Sequence, residues 1–231
     1  MGAKQLRWLQ RIWCPASSLQ QSSRLVVTRW LAELYCALSG TSMDTGGGNI
    51  GHTFPTKRMF VEAVTPLLTL NCPNPEFQDS KPGGEDERVE SAEEEEARRG
   101  KRLLETVALW LCHTVQLSAS SVDPVLYELL PYMCQYIGTE SDQGVSQACL
   151  QALSYLSVCI LTTPALAPCL HMVQRCVTST SYKTKLSTLE FLQTVVFTNL
   201  QTLQASKELQ ARVLGRAAMK FREFLKICLA S

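Results

Sequence analysis

Apolar positions along most of the chain recur at three- and four-residue steps, with no sustained alternation of apolar and polar residues. That spacing predicts helices, not strands. The clearest case is 181–200, where Leu186, Leu189, Phe191, Leu192, Val195, Val196 and Leu200 form a broad stripe. A stripe of that width is expected to be covered on more than one side. At the N-terminus, residues 4–14 predict a helix with Leu6, Leu9 and Trp13 on one side, closed by Pro15. Ser17 or Ser18 is suited to cap a second helix through Leu25, Val27, Trp30, Leu31 and Leu34, ending at Gly40. After a glycine-rich loop over 41–55, a third helix is expected over 56–71, bent at Pro66.

The second half of the chain is punctuated more regularly. Asp123-Pro124 and Thr163-Pro164 each read as an N-cap followed by proline in the first turn. The first opens a helix through Leu126, Leu129, Leu130 and Met133; the second opens one through Leu166, Leu170 and Val173. Ser141 or Asp142 opens another, extending to about Ile160; Ser181 opens the broad-striped helix, and Ser206 a last one. Successive first helices thus start near 121, 163 and 206, a period of about 40 residues with two helices per unit, as in HEAT and armadillo repeats. The expected fold is all-α, a HEAT-like α-solenoid of helix pairs in which each pair buries its stripes against its neighbours.

One segment interrupts this order. Residues 72–84 hold three prolines and two glycines, and 79–96 concentrate Asp79, Glu85, Asp86, Glu87, Glu90 and Glu93 to Glu96. The organisation expected is a helical block over 1–71, a disordered Pro/Gly and acidic linker over 72–96, and a repeat block over 97–231. A helix can begin within the acids, because carboxylates suit a helix N-terminus, and is expected to run to about Leu117. The net charge of +1 conceals this acidic block and leaves the rest of the chain basic.

No residue pattern supports catalysis. The chain has no nucleophile elbow, phosphate-binding loop or zinc-protease helix motif, and its histidines, His52, His113 and His171, lie far apart. Cys112-His113 and Cys169-x-His171 point in different directions on a helix and make poor metal pairs. The ten cysteines contain no C-x-x-C pair and read as reduced, mostly buried thiols. The chain is therefore expected not to be an enzyme and to use no cofactor or metal. No apolar run reaches the roughly 20 residues that span a bilayer, so no membrane partner is expected. Aromatic interleaving for nucleic acid is absent as well.

Arg175, Lys183 and Lys185, flanking a turn between two repeat helices, are the candidate partner-binding residues, suited to an acidic partner. The basic last helix, with Lys207, Arg212, Arg216 and Lys220 around its apolar stripe, reads as a further repeat helix awaiting a neighbour. Uncapped terminal stripes favour self-association, with a homodimer as the simplest product.

Two blocks carry a family resemblance. Ser181-Tyr182-Lys183, Leu189 and the core LQTVVFTNL over 192–200 form one. The other is GEDER over 84–88, followed by Gly100, Lys101, Leu103-Leu104 and Trp110-Leu111. Order and spacing over roughly 84–210 resemble the proteasome activator complex subunit 4 family, the large Blm-type activators. The resemblance implies a HEAT-like solenoid that caps the end of the core proteasome and stimulates peptide hydrolysis without ATP. It also implies residence in nucleus and cytoplasm, and a link to degradation of acetylated histones in DNA repair and spermatogenesis. The family's acetyl-lysine-reading region and its aromatic-Tyr-Ala tail have no matching residues here, so the chain is expected to be a partial one. A generic helical-repeat adaptor for a protein partner is the alternative.

Overall fold

A computed structural model describes residues 2–37, 56–71, 87–118, 122–137, 143–179 and 181–205. Within them the elements are α1 (Gly2–Ser18), α2 (Gln21–Ala37), α3 (Lys57–Asn71), α4 (Glu87–Leu117), a 3-10 helix η1 (Pro124–Leu129), α5 (Leu130–Tyr136), α6 (Gln143–Ser157), α7 (Thr163–Val177), α8 (Tyr182–Thr198) and α9 (Leu200–Ala205). Every regular element among the described residues is helical.

The helices stack in two rows. One row runs α1, α3, η1 with α5, then α7; the other runs α2, α4, α6, α8, and each member packs on the next in its row. Pairs such as α3 with α4 and α7 with α8 tie the rows together. This is the α-solenoid arrangement of helix pairs that the period of about 40 residues implies. The longest helix, α4, packs most extensively on α2 and α6. Its burial explains the pattern Leu103, Leu104, Val107, Trp110, Leu111, each of them 4% exposed or less.

Four aromatic rings join the first four helices. Trp110 stands edge-on to Trp13 (centroids 5.4 Å apart) and to Tyr35 (5.2 Å), and stacks on Phe60 at 6.0 Å and 4°. Tyr35 meets Phe60 edge-on at 5.5 Å. Such pairs add about 0.5–1.5 kcal/mol each beyond the area they bury.

Several sequence expectations need correction. Pro15 lies inside α1, which continues to Ser18. Ser17 and Ser18 do not cap α2; their hydroxyls donate back to the carbonyls of Cys14 and Pro15 at 2.7 Å and finish α1. The buried face of α2 is Thr28, Leu31, Ala32 and Tyr35, while Leu25 and Trp30 are turned to solvent. The helix expected to begin within the acids does so: α4 starts at Glu87 and runs to Leu117. Glu95 there pairs with Arg98 and Arg99 at 3.8 and 3.4 Å along the solvated helix surface. The glycine loop, the remainder of the linker, the cap at 141–142 and the helix expected from Ser206 lie outside the described residues.

The two cap-plus-proline signatures resolve differently. Asp123 accepts the Val125 N–H at 3.1 Å, but the first turns it opens are 3-10 before α5 takes over. At α7 the cap is Thr162, one residue earlier than expected, with no side-chain cap bond. Ser181 caps α8 through Thr184 N–H at 3.3 Å, as its position predicts.

Helix α6 stops at Ser157, before Ile160, because Asn199 takes hold of the segment that follows. The Asn199 carboxamide accepts the Leu161 N–H at 2.6 Å and donates to the Cys159 and Val195 carbonyls at 3.0 Å. Thr202 adds a bond to the Leu161 carbonyl at 3.1 Å. A stretch bound at two backbone carbonyls and one amide has no need of helical partners.

Candidate functional site

Arg175, Lys183 and Lys185 do come to one end of the α7–α8 pair. Arg175 lies in the last turn of α7, and both lysines lie in the first turn of α8. Arg175 and Lys183 are exposed, whereas Lys185 is half-buried, because positions two apart on a helix point in different directions. Arg175 leans on its own helix, with Nη1 3.8 Å from Met172 Sδ. Cations at a helix N-terminus oppose the helix dipole. The result is a cationic rim, not a pocket converging on one ligand.

The cysteine–histidine neighbours are separated as helical geometry requires. Cys112 is buried and His113 only partly so; Cys169 is buried and His171 exposed. Burial pushes the Cys112 and Cys169 thiols up to about 12 and the Cys159 thiol to about 11. A hydrogen bond with Cys134, together with burial, raises the Cys176 thiol far above its usual range. None of these four is a ready nucleophile near neutral pH. Among the described residues, no group of three or more His, Cys, Asp and Glu side chains is placed to hold a metal ion. Among them also, no helix is long and apolar enough to cross a membrane.

A groove of about 400 Å³ runs across the N-terminal ends of α3, η1 and α7, lined by Lys57, Val122, Asp123, Pro124, Leu161 and Pro164 among others. Its charged groups are already engaged. Asp123 caps η1, and Lys57 Nζ stands 5.3 Å from the centre of the Tyr35 ring. Neither is arranged as an acid–base or nucleophile–base pair with a third group to orient it.

The largest departure from the sequence reading is on α8. The face it turns inward is Thr184, Ser187, Thr188, Phe191 and Val195. Ser187 Oγ donates to the Cys134 and Thr184 carbonyls, each at 3.1 Å, and Thr188 Oγ1 donates to the Thr184 carbonyl at 2.6 Å. Hydroxyls satisfied in this way leave a small, flat surface against which α5 and α6 pack closely. The apolar stripe is divided. Phe191 and Val195 enter the core, while Leu186, Phe197 and Leu200 are exposed, Phe197 by 82%. Val26 and Trp30 on α2, at the other end of that row, are likewise exposed. The stripe's excess width was the one sequence signal that α8 has a second apolar side.

No protein-family profile matches the chain. No solved structure matches it either. Over 119 residues the chain is 29% identical to "Proteasome activator complex subunit 4B" of Danio rerio, a stretch covering 50% of this chain and 6% of that protein. The chain thus spans a small fraction of the curated protein it matches, and its similarity to a proteasome activator subunit is partial and distant.

Proposed function

We propose that this chain works as a non-catalytic helical-repeat segment of a proteasome activator, one that contributes docking surface for the core proteasome. The observation that carries the reading is the 119-residue similarity to a subunit bearing that name. It is supported by a fold whose stacked helix pairs offer long faces. The basic rim at Arg175, Lys183 and Lys185 supplies a cationic edge for an acidic protein surface. In cells the same reading expects nucleus and cytoplasm. Capping the end of the core particle, ATP-independent stimulation and the link to acetylated histones are properties of the resembling family. The matched stretch covers 6% of that subunit, so the chain by itself is expected to bind weakly and activate little.

The test is binding of the purified full chain to isolated core proteasome, read by sedimentation, together with hydrolysis of a fluorogenic peptide. Weak, salt-sensitive binding with stimulation below about twofold is expected, and Lys183→Glu with Lys185→Glu should reduce the binding further. Strong stimulation by the chain alone would remove the non-activating part of the proposal. Absence of any binding at low salt would remove the proteasome reading itself and leave the adaptor alternative.

A further inference from the structure

Cys134 on α5 and Cys176 on α7 are buried, and these helices pack on each other as successive members of one row. The two thiols are hydrogen-bonded to each other. The Ser187 and Thr188 hydroxyls of α8 stand beside Cys134 as well, and Ser187 Oγ also donates to the Cys134 carbonyl at 3.1 Å. Side chains from three helices thus converge on a pair of touching sulfurs.

The two sulfurs are not equivalent. The hydrogen bond from Cys176, opposed by burial and aided by the two hydroxyls, holds the Cys134 thiol below its ordinary value. The same bond, together with burial, raises Cys176, which therefore keeps its proton. Cys134 is the sulfur that can ionise and attack, and Cys176 is the protonated partner lying against it. In the neighbouring pair Cys159 and Cys169 burial prevails, pushing those thiols up to about 11 and 12.

We propose that Cys134 and Cys176 form a redox pair, which a hydroperoxide oxidises to a disulfide stapling α5 to α7. The Cys134 thiolate attacks one peroxide oxygen, the O–O bond breaks, and Cys134 becomes a sulfenic acid as the peroxide is reduced. The Cys176 sulfur then displaces that hydroxyl, which leaves as water with the Cys176 proton, and the S–S bond forms. Hydrogen peroxide is small enough to reach the pair when the short η1–α5 segment, of six and seven residues, opens locally. The product cross-links successive units of the stack and closes the chain from 134 to 176, so it should raise the unfolding midpoint. The inference does not rest on the proteasome reading.

The reduced full chain, treated with hydrogen peroxide and then alkylated, provides the test, with peptide mapping by trypsin and chymotrypsin without reductant. The Cys134–Cys176 cross-link should be the leading intramolecular disulfide among the described cysteines, and dithiothreitol should reverse it. The denaturant midpoint should rise on oxidation and return on reduction. Cys134→Ser should lower oxidation of Cys176 about fivefold or more, whereas Cys176→Ser should leave Cys134 as a sulfenic acid that dimedone traps. A Cys159–Cys169 cross-link forming as fast, or undiminished Cys176 oxidation in Cys134→Ser, would overturn the proposal. So would a folded, peroxide-treated native chain in which Cys134 and Cys176 both stay reduced, a result that depends on no variant.

Discussion

The two halves of the stack are held by different physics. In α1–α4, four rings meet at one point, and the Trp13 and Trp110 indole N–H groups are buried without hydrogen-bond partners. An inter-helix polar contact of this half lies at its edge, Arg24 to Glu105 at 2.6 Å. From η1 onward, among the described residues, the ring pair is Tyr127 with Phe191 at 6.4 Å. Side chains there bond instead to distant backbone: Tyr127 to the Leu156 carbonyl at 3.2 Å, Ser187 to Cys134, and Asn199 to both sides of the segment after α6. Aromatic burial supplies much energy and little direction. Carboxamide and hydroxyl bonds supply less energy but fix which residue lies opposite which. The first half should therefore be sensitive to lost volume, and the second to lost geometry.

The strongest way to break that contrast is Trp110→Ala. It removes the ring shared by three contacts and should cost about 3–5 kcal/mol, read by denaturant unfolding. A loss under about 1 kcal/mol would mean the four rings are not the centre of the first half. Next comes Asn199→Leu, which conserves volume but leaves the buried Leu161 N–H without an acceptor. About 1–3 kcal/mol should be lost, and hydrogen exchange at Leu161 should quicken. If Asn199→Leu proved neutral while Asn199→Ala did not, packing and not hydrogen bonding would be what Asn199 contributes.

The smallest effect concerns His113. Burial, then the nearby Arg29, lowers its pKa below 6.5, so the folded state prefers the neutral ring. Between the folded and unfolded values the unfolded chain binds the extra proton, so stability rises with pH there and is lost as pH falls below about 6.5. A scan of thermal midpoint against pH should show a small acid-side decline that His113→Gln reduces. An unchanged slope in that variant would assign the decline to other groups.

Local signals carried the reading of the chain where the physics is local. Helix periodicity, the Asp123 and Ser181 caps and the end of α4 near Leu117 follow from residues within a turn or two of each other. The spacing of about 40 residues between helix starts was enough to indicate stacked pairs. Where neighbours compete, sequence alone could not choose. Pro15 was compatible with ending or continuing α1, and packing of the α1 apolar face on α3 and α4 accompanies its continuation.

Asn199 lies 38 residues from Leu161, and nothing in a linear pattern marks it as the residue that ends α6. The side of α8 that faces inward was likewise decided only in three dimensions. Both sides of that helix are apolar enough to be buried, so its period alone is indifferent between them. The choice fell to the hydroxyls of Ser187 and Thr188, whose small side chains bond back to the Thr184 carbonyl and let neighbouring helices approach. The sequence by itself determined that the chain is a stack of amphipathic helices. Tertiary contact decided which faces meet, because a hydroxyl bonded to its own helix packs as a small apolar group and only a neighbour reveals that it has.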